Sequence, residues 1–195
     1  MSDWAATAEA MLMKLTRRFQ FLLRSICLAG LVCSALVAPI AKAERGSHIM
    51  LDAPLPQPAW ELPLIANGEG TVTDLTYLGR VTYVDFWASW CGPCRLSLPA
   101  LNRLSKEFDA ADFGVVAISV DYVDEDALDF LKRYPVDYPV AIDKTGNSGR
   151  DFAVAGMPSG YLIGRDGLIR EVHVGFRKGD EALLREQIQA LIADS

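Results

Sequence analysis

The sequence predicts one α/β domain in which a mixed central sheet is flanked by helices. Between residues 81 and 142, short apolar runs typical of buried strands alternate with segments whose apolar residues recur at helical spacing. The pattern then changes to a hairpin and a last helix, so that the sheet combines parallel and antiparallel strands. A Cys-Gly-Pro-Cys motif at residues 91–94 stands where the first of these strands meets a helix. No internal repeat is found.

The domain is predicted to begin with a β-hairpin. Residues 60–78 contain the turn signal Asn67-Gly68 and a short β-rich segment at 71–73. Before the hairpin, alternating prolines at 54, 56 and 58 favour an extended, polyproline-type tail or linker over residues 44–59. The folded domain is therefore expected to span residues 60–195.

The remaining elements follow from hydrophobic periodicity and turn signals. Strands are predicted at residues 81–88, 114–120 and 138–142, and helices at 94–108 and 124–134. A hairpin of strands 160–164 and 168–174 is predicted around Arg165-Asp166-Gly167. The final helix is predicted at residues 180–192, with its apolar residues toward the core.

The N-terminal 43 residues resemble an export signal. A basic start is followed by an apolar stretch at 19–40 and by Ala41-Lys42-Ala43, which matches a small-x-small cleavage site. Cleavage after Ala43 and a periplasmic location are therefore expected. The alternative is an uncleaved membrane anchor, but the uninterrupted apolar stretch at 25–40 is short for a span.

Net charge and cysteine content restrict the function of the exported chain. The full chain has a net charge of −6, and loss of residues 1–43 leaves 14 basic and 23 acidic residues, a net charge of −9. Such an acidic protein is not expected to bind nucleic acid. Only two of the four cysteines remain, both in the motif, in a compartment that permits disulfides. A lone pair of this kind suits chemistry on the cysteines of other proteins.

The motif itself predicts a redox pair. Cys91 precedes a helix whose N-terminal N–H groups and dipole favour a thiolate, and Cys94 lies one turn further on. A structural zinc site would need two more ligands, and the only histidines are His48, in the predicted tail, and His173, on a predicted strand. A purely structural disulfide rarely closes so short a loop.

Three segments resemble the thioredoxin family. Residues 84–94, Val-Asp-Phe-Trp-Ala-Ser-Trp-Cys-Gly-Pro-Cys, are closely similar to the thioredoxin active-site segment. Gly156-Met157-Pro158-Ser159 resembles the cis-proline loop, and His173-Val174-Gly175 before a helix resembles the C-terminal part. The gap between Cys94 and Pro158 is longer than in plain thioredoxin, as in exported proteins of the TlpA and ResA type. The resemblance implies a thioredoxin-like fold with an inserted strand–helix unit over roughly residues 58–193.

The resemblance also implies roles for the residues of the motif. Cys91 is the expected nucleophile toward a substrate disulfide, and Cys94 the cysteine that resolves the mixed disulfide. Asp85 is the candidate proton acceptor for Cys94, because a carboxylate within an apolar strand is desolvated and its pKa rises. The alternative is that Asp85 points to solvent on an edge strand. No cofactor beyond the Cys91–Cys94 disulfide is expected.

Client binding is expected beside the cysteines. A cis bond before Pro158 would turn the backbone of Met157 toward them, where it could pair with an extended substrate strand. Trp90, Gly92, Pro93 and Gly175 are the other candidate contacts. The alternatives are an ordinary trans proline and, for Trp90, packing in the core.

The direction of electron flow and the clients are left open by the sequence. Gly-Pro between the cysteines resembles reducing thioredoxins, so a reductase of client proteins is expected. The family resemblance implies a membrane electron donor of the DsbD or CcdA kind, and the protein is expected to be a monomer. The rivals are a copper-site assembly protein, a disulfide oxidase and a cytochrome c maturation reductase. Ser97 and Ser159 stand where maturation proteins tend to carry acidic residues. His173 is expected to be a surface strand histidine, because a metal site needs converging ligands.

Overall fold

A computed structural model describes residues 47–194, so the predicted export signal lies outside the described residues. Within that range the chain forms eight strands and four helices. The strands are β1 (Ser47–Pro56), β2 (Glu61–Ala66), β3 (Thr71–Thr73), β4 (Val81–Trp87), β5 (Phe113–Ser119), β6 (Val140–Ile142), β7 (Ser159–Ile163) and β8 (Leu168–Val174). The helices are α1 (Cys94–Glu107), α2 (Asp124–Arg133), α3 (Asn147–Asp151) and α4 (Asp180–Ala193).

The strands form one mixed sheet in the order β1-β8-β7-β4-β5-β6-β2-β3. Strands β4, β5 and β6 are parallel. At one side β7 pairs antiparallel with β4, and β8 in turn pairs antiparallel with β7; at the other side β2 pairs antiparallel with β6. The α/β class with mixed strand direction is therefore confirmed, and so is the N-terminal hairpin, formed by β2 and β3. None of the helices between residues 47 and 194 is long and apolar enough to cross a membrane.

The two central strands, β4 and β5, are buried along their whole length, and apolar clusters cover both faces of the sheet. Because side chains alternate across a strand, neighbouring residues of β4 enter different clusters. Tyr83 and Trp87 pack on the side of α1 and α4, against residues that include Leu98, Leu101, Leu184 and Ile188. Val84 and Phe86 pack on the opposite side, against residues that include Ile118, Phe152, Tyr161 and Trp60.

The segment predicted to be a tail is a strand over most of its length. Ser47–Pro56 forms β1, which pairs antiparallel with β8 from Ser47 opposite Val174 to Pro56 opposite Leu168. The register shifts between Met50 and Leu55, the stretch that contains Pro54. An edge strand tolerates proline because only one side of its backbone is paired. The tail prediction is therefore wrong for residues 47–56.

The short helix α3 was also absent from the predicted elements, because five residues are too few to show a helical period. The loop that leads into it is organised by the buried carboxylate of Asp143. Oδ1 accepts hydrogen bonds from Thr145 N, Thr145 Oγ1 and Gly146 N, and Oδ2 accepts from the amide and hydroxyl of Ser148, all over 2.5–3.0 Å. Burial raises the pKa of Asp143, but the bonds from Ser148 and Thr145 outweigh it and hold the pKa below its ordinary value.

We expect Asp143→Ala to lower the free energy of unfolding by about 3 kcal/mol at pH 7, because charge-assisted hydrogen bonds are lost and their donors are left buried. The folded-state pKa of Asp143 lies below the unfolded one, so its contribution is complete above the unfolded value and disappears as pH falls through the folded value. Urea melts at pH 7 and at about pH 3 should show the difference between wild type and variant shrinking in acid. Asp52→Ala, at an exposed carboxylate, is the control; a loss that did not change with pH would contradict this account.

Candidate functional site

The two cysteines of the motif lie where β4 ends and α1 begins. Cys91 and Cys94 form a disulfide with an Sγ–Sγ distance of 1.98 Å and a Cα–Cα distance of 5.4 Å. Cys91 belongs to the turn after β4, where its amide donates to Ala88 O over 3.0 Å, and Cys94 is the first residue of the helix. The pairing predicted from the spacing is therefore present.

The N-terminus of α1 distinguishes the two sulfurs. The backbone N–H of Cys94 donates to Sγ of Cys91 over 3.2 Å, so one of the unpaired N–H groups at the start of the helix is directed at that atom. The dipole of the fourteen-residue helix adds to the attraction for negative charge. Of the two sulfurs, Cys91 Sγ is thus the one at which a thiolate is stabilised.

Access to the pair is restricted. Cys94 is 0% exposed and Cys91 only 5%. The edge of Cys91 reaches an open groove of about 420 Å³. The groove is lined by Trp90, Cys91, Gly92, Pro93, Val154, Ala155, Gly156 and Met157. Trp90 is 69% exposed, so the alternative that it packs in the core is wrong.

The second wall of the groove is the loop before β7. The Met157–Pro158 peptide bond is cis, as the resemblance predicts. Met157 lines the groove, while Pro158 is buried behind it. Gly175 does not line the groove: its N–H donates to the carbonyl oxygen of Pro158 over 2.7 Å, and its φ of 80° lies in the left-handed region that favours glycine. Gly175 therefore stabilises the cis-proline loop and is not itself part of the groove surface.

Asp85 lies in the middle of β4 and is buried, so the solvent-facing alternative is wrong. It shares a face of the sheet with Tyr83 and Trp87, the face that α1 covers. The pKa values of Tyr83 and Tyr138 are raised by burial and, next, by the negative charge of Asp85. The Tyr138 hydroxyl donates to Leu98 O over 3.2 Å, in the first turns of α1.

The carboxyl group of Asp85 is poorly solvated. Its Oδ2 has no hydrogen-bond partner within the described part of the chain. Burial raises the pKa of Asp85 well above its ordinary value, with no neighbouring cation among the causes. A carboxyl group in this state can take up a proton at a pH where exposed aspartates cannot.

Asp121 is a residue that the sequence analysis missed. It is buried just after β5, and its carboxylate accepts hydrogen bonds from the amide of Ser89 (2.9 Å), from the hydroxyl of Ser89 (2.8 Å) and from that of Ser119 (2.8 Å). These bonds fix the turn that carries Trp90 and Cys91. The signal was available: parallel strands β4 and β5 end at the same edge of the sheet, and an acidic residue directly follows the second one.

His173 is buried, contrary to the prediction of a surface histidine. Its ring lies beneath α4, 5.8 Å from that of Tyr83, and 4.5 Å from that of His48 on β1. The prediction failed because β1, which supplies His48, was taken for a tail.

Comparison with known proteins gives the family. The profile of the redoxin family matches residues 52–188. A thiol-disulfide oxidoreductase ResA from Bacillus thuringiensis is 30% identical over 128 residues, 65% of this chain and 70% of that protein. A thiol:disulfide interchange protein DsbE from Pseudomonas fluorescens is 34% identical over 138 residues, 69% of this chain and 72% of that protein.

Solved structures agree. A Chlorobium tepidum protein assigned as a thiol:disulfide interchange protein DsbE is 41% identical, with a TM-score of 0.68 over 73% of this chain and 99% of that one. A Bacteroides thetaiotaomicron protein assigned as a protein disulfide isomerase is 28% identical, with a TM-score of 0.65 over 75% of this chain and 92% of that one. The chain therefore belongs to the redoxin family, and is a thiol–disulfide oxidoreductase with a thioredoxin-like fold, similar to the TlpA and ResA type.

Proposed function

We propose that this oxidoreductase is exported and reduces disulfides in client proteins through a Cys91–Cys94 cycle. The observation that carries the proposal is the hydrogen bond from Cys94 N–H to Cys91 Sγ at the start of α1, beside an open groove. This hydrogen bond stabilises a thiolate at Cys91 rather than at Cys94, which is fully buried. The Ala41-Lys42-Ala43 signature and the basic, apolar N-terminus support export to the periplasm.

The cycle begins with the dithiol. Cys91 thiolate attacks one sulfur of a client disulfide, that S–S bond breaks, and the departing client sulfur takes up a proton. Cys94 then loses its proton and attacks Cys91 Sγ, which releases the second client sulfur as a thiol. The client gains two electrons and two protons, and the enzyme is left as the disulfide. Both electrons are carried by sulfur, so the proposal includes no further cofactor.

Turnover requires a donor of two electrons. A membrane conduit of the DsbD or CcdA kind would return the disulfide to the dithiol by the same exchange in reverse. One chain supplies both cysteines and the whole groove, so the proposal takes the protein as a monomer.

The groove provides the contacts for an extended client segment. Met157 lies in its wall, and the peptide groups of this residue are of the kind that would pair with an added strand. Trp90 and Pro93 supply apolar surface on the opposite side. Contacts to backbone rather than to particular side chains suit an enzyme with several clients.

We assign Asp85 the role of proton acceptor for Cys94. It lies on the face of β4 that α1 covers, and its charge acts on the hydroxyls of Tyr83 and Tyr138. The raised pKa of the Asp85 carboxyl group lies closer to the pKa of a thiol, so its carboxylate is a better base. Cys94 is fully buried and has no access to solvent as an alternative acceptor.

The rival functions receive less support. Among the described residues, His173 is grouped with His48 and Glu171 and not with the cysteines, so the motif lacks the accompanying histidine of a copper-site assembly protein. Ser97 Oγ and Ser159 Oγ donate to the backbone carbonyls of Cys94 and Gly156 and place no carboxylate at those positions, which disfavours a dedicated role in cytochrome c maturation.

The first test concerns the roles of the cysteines. In the Cys27→Ser/Cys33→Ser background, the reduced chain should reduce insulin disulfides, and Cys91→Ser should abolish the activity because the attacking sulfur is lost. Cys94→Ser should instead accumulate mixed disulfides, visible by non-reducing electrophoresis. Full activity in Cys91→Ser would overturn the assignment of the nucleophile.

The second test concerns direction. If the protein is a reductant, its disulfide form should be more stable toward urea than its dithiol form, because the folding and redox equilibria form one thermodynamic cycle. Melts of both forms in the same two-serine background measure the difference. Both should unfold cooperatively, since a core of this size does not depend on a four-residue bridge. A more stable dithiol form would identify an oxidase.

The third test concerns Asp85. We expect Asp85→Asn to slow resolution by Cys94 by roughly a hundredfold near neutral pH, and less at high pH where the thiol ionises unaided. The first attack by Cys91 should change less, because its activation comes from the helix N-terminus. Stopped-flow fluorescence of Trp90 across pH separates the two steps.

Stability supplies the control for the same variant. The folded-state pKa of Asp85 is raised, so the folded protein binds this proton more tightly than the unfolded chain, and stability falls as pH rises between the two pKa values. Asp85→Asn should remove that fall and be more stable than wild type at neutral pH. Asp126→Asn, at an exposed carboxylate of α2, should change neither property. Unchanged rates in Asp85→Asn would leave Asp85 a structural residue.

A further inference from the structure

We propose that His48, Glu171 and His173 form a binding site for one divalent transition-metal ion of the Zn²⁺ type, separate from the redox pair. The ion would join β1 to β8 beneath α4. The three residues are brought together from the N-terminal strand and the last strand, 123 positions apart in the case of His48 and Glu171.

The strand register places the three side chains on one face. Glu171 and His173 are two residues apart on β8, so they point the same way. On β1, His48 lies directly opposite His173, and Met50 opposite Glu171. His48 is thus the cross-strand neighbour of one ligand and the diagonal neighbour of the other, both within reach.

The donor atoms converge. One ligand atom from each of the three residues lies within 4.8 Å of the others. Nε2 of His48 is hydrogen-bonded to Oε2 of Glu171, and Nε2 of His173 lies 3.7 Å from the same oxygen. A tetrahedral ion held at about 2.1 Å needs ligand atoms about 3.4 Å apart. The 3.7 Å separation is too long for a hydrogen bond and close to that spacing.

An unpartnered nitrogen points into this cluster. The side chain of His173 is 8% exposed, and its Nε2 has no hydrogen-bond partner within residues 47–194. Buried polar atoms are nearly always paired, so an orphan of this kind calls for an explanation. An ion between the two imidazoles and the carboxylate would bind that nitrogen through its lone pair.

Helix α4 offers a fourth donor. The side-chain amide nitrogen of Gln187 contacts Nε2 of His48, while its Oε1 is buried and unpartnered in the described structure. A 180° rotation of the amide group exchanges its oxygen and nitrogen, and would direct Oε1 of Gln187 toward the cluster. Two imidazoles, a carboxylate and an amide oxygen would then complete four-coordination.

The donor set selects the kind of ion. Imidazole nitrogens suit Zn²⁺ and its neighbours in the first transition row, whereas Mg²⁺ and Ca²⁺ take oxygen ligands. Because the donors are largely buried and a fourth is at hand, the site is structural rather than catalytic. Its effect would be to fasten β1, an edge strand that pairs only with β8 in the sheet order, to the helix layer.

Zinc binding to the full chain tests the proposal. The Cys27→Ser/Cys33→Ser background with the Cys91–Cys94 disulfide closed removes every competing thiol. Equilibrium dialysis against Zn²⁺ with elemental analysis should give one ion per chain, and Zn²⁺ should raise Tm because the ion binds the folded state. His48→Gln and Glu171→Gln should each weaken zinc binding by at least about tenfold and abolish the Tm shift.

Glu186→Gln is the matched control, since it removes the same charge from an exposed position of α4 beside Gln187; it should retain both the ion and the shift. His48 is partly exposed, so its variant is expected to fold even if Glu171→Gln does not, and circular dichroism verifies this. Wild type that binds no zinc, or zinc binding and a Tm shift that persist in His48→Gln, would overturn the proposal.

Discussion

The pairing of β4 with β7 is the constraint on which the site depends. One strand leads directly into the cysteine turn, and the other begins directly after the cis Met157–Pro158 bond. Their register, with Phe86 opposite Ser159 and Asp85 opposite Gly160, sets the two walls of the groove against each other. Segments some 65 residues apart in the chain are thus positioned by backbone hydrogen bonds rather than by flexible side chains, which suits a preformed groove beside Cys91.

The same register produces a buried polar layer beneath α1 and α4. Gly160 on β7 lies between Asp85 of β4 and His173 of β8. A Cβ atom at Gly160 would lie 1.8 Å from the Tyr83 hydroxyl, so only a glycine leaves room there for the Tyr83 ring. Unpaired polar atoms in such a layer lower stability, and proteins retain them where they serve chemistry. Here the unpaired oxygen of Asp85 belongs to the proposed proton acceptor, and the unpaired nitrogen of His173 to the proposed ion site.

The sequence predicted what local chemistry determines. The period of apolar residues gave β4, β5 and α1 within a residue or two, and the spacing of the cysteines gave their place at a helix start. It failed where a partner far along the chain decides the outcome. The prolines of β1 are compatible with a tail, and only pairing with β8 makes the segment a strand. The convergence of His48 on Glu171 depends on that pairing, and so was not foreseeable from either segment alone.

Limited access to Cys91 has a consequence for the choice of clients. Cys91 is 5% exposed and the neighbouring Trp90 is 69% exposed, so the proposed reaction would favour a client that presents its disulfide on a protruding or unfolded segment. Asp121 holds the turn before Trp90 through its hydrogen bonds from Ser89, so one carboxylate helps to position the exposed indole beside the groove. Under the proposed function, selection would therefore act on the shape and flexibility of the client chain, while the chemistry of the sulfurs stays general.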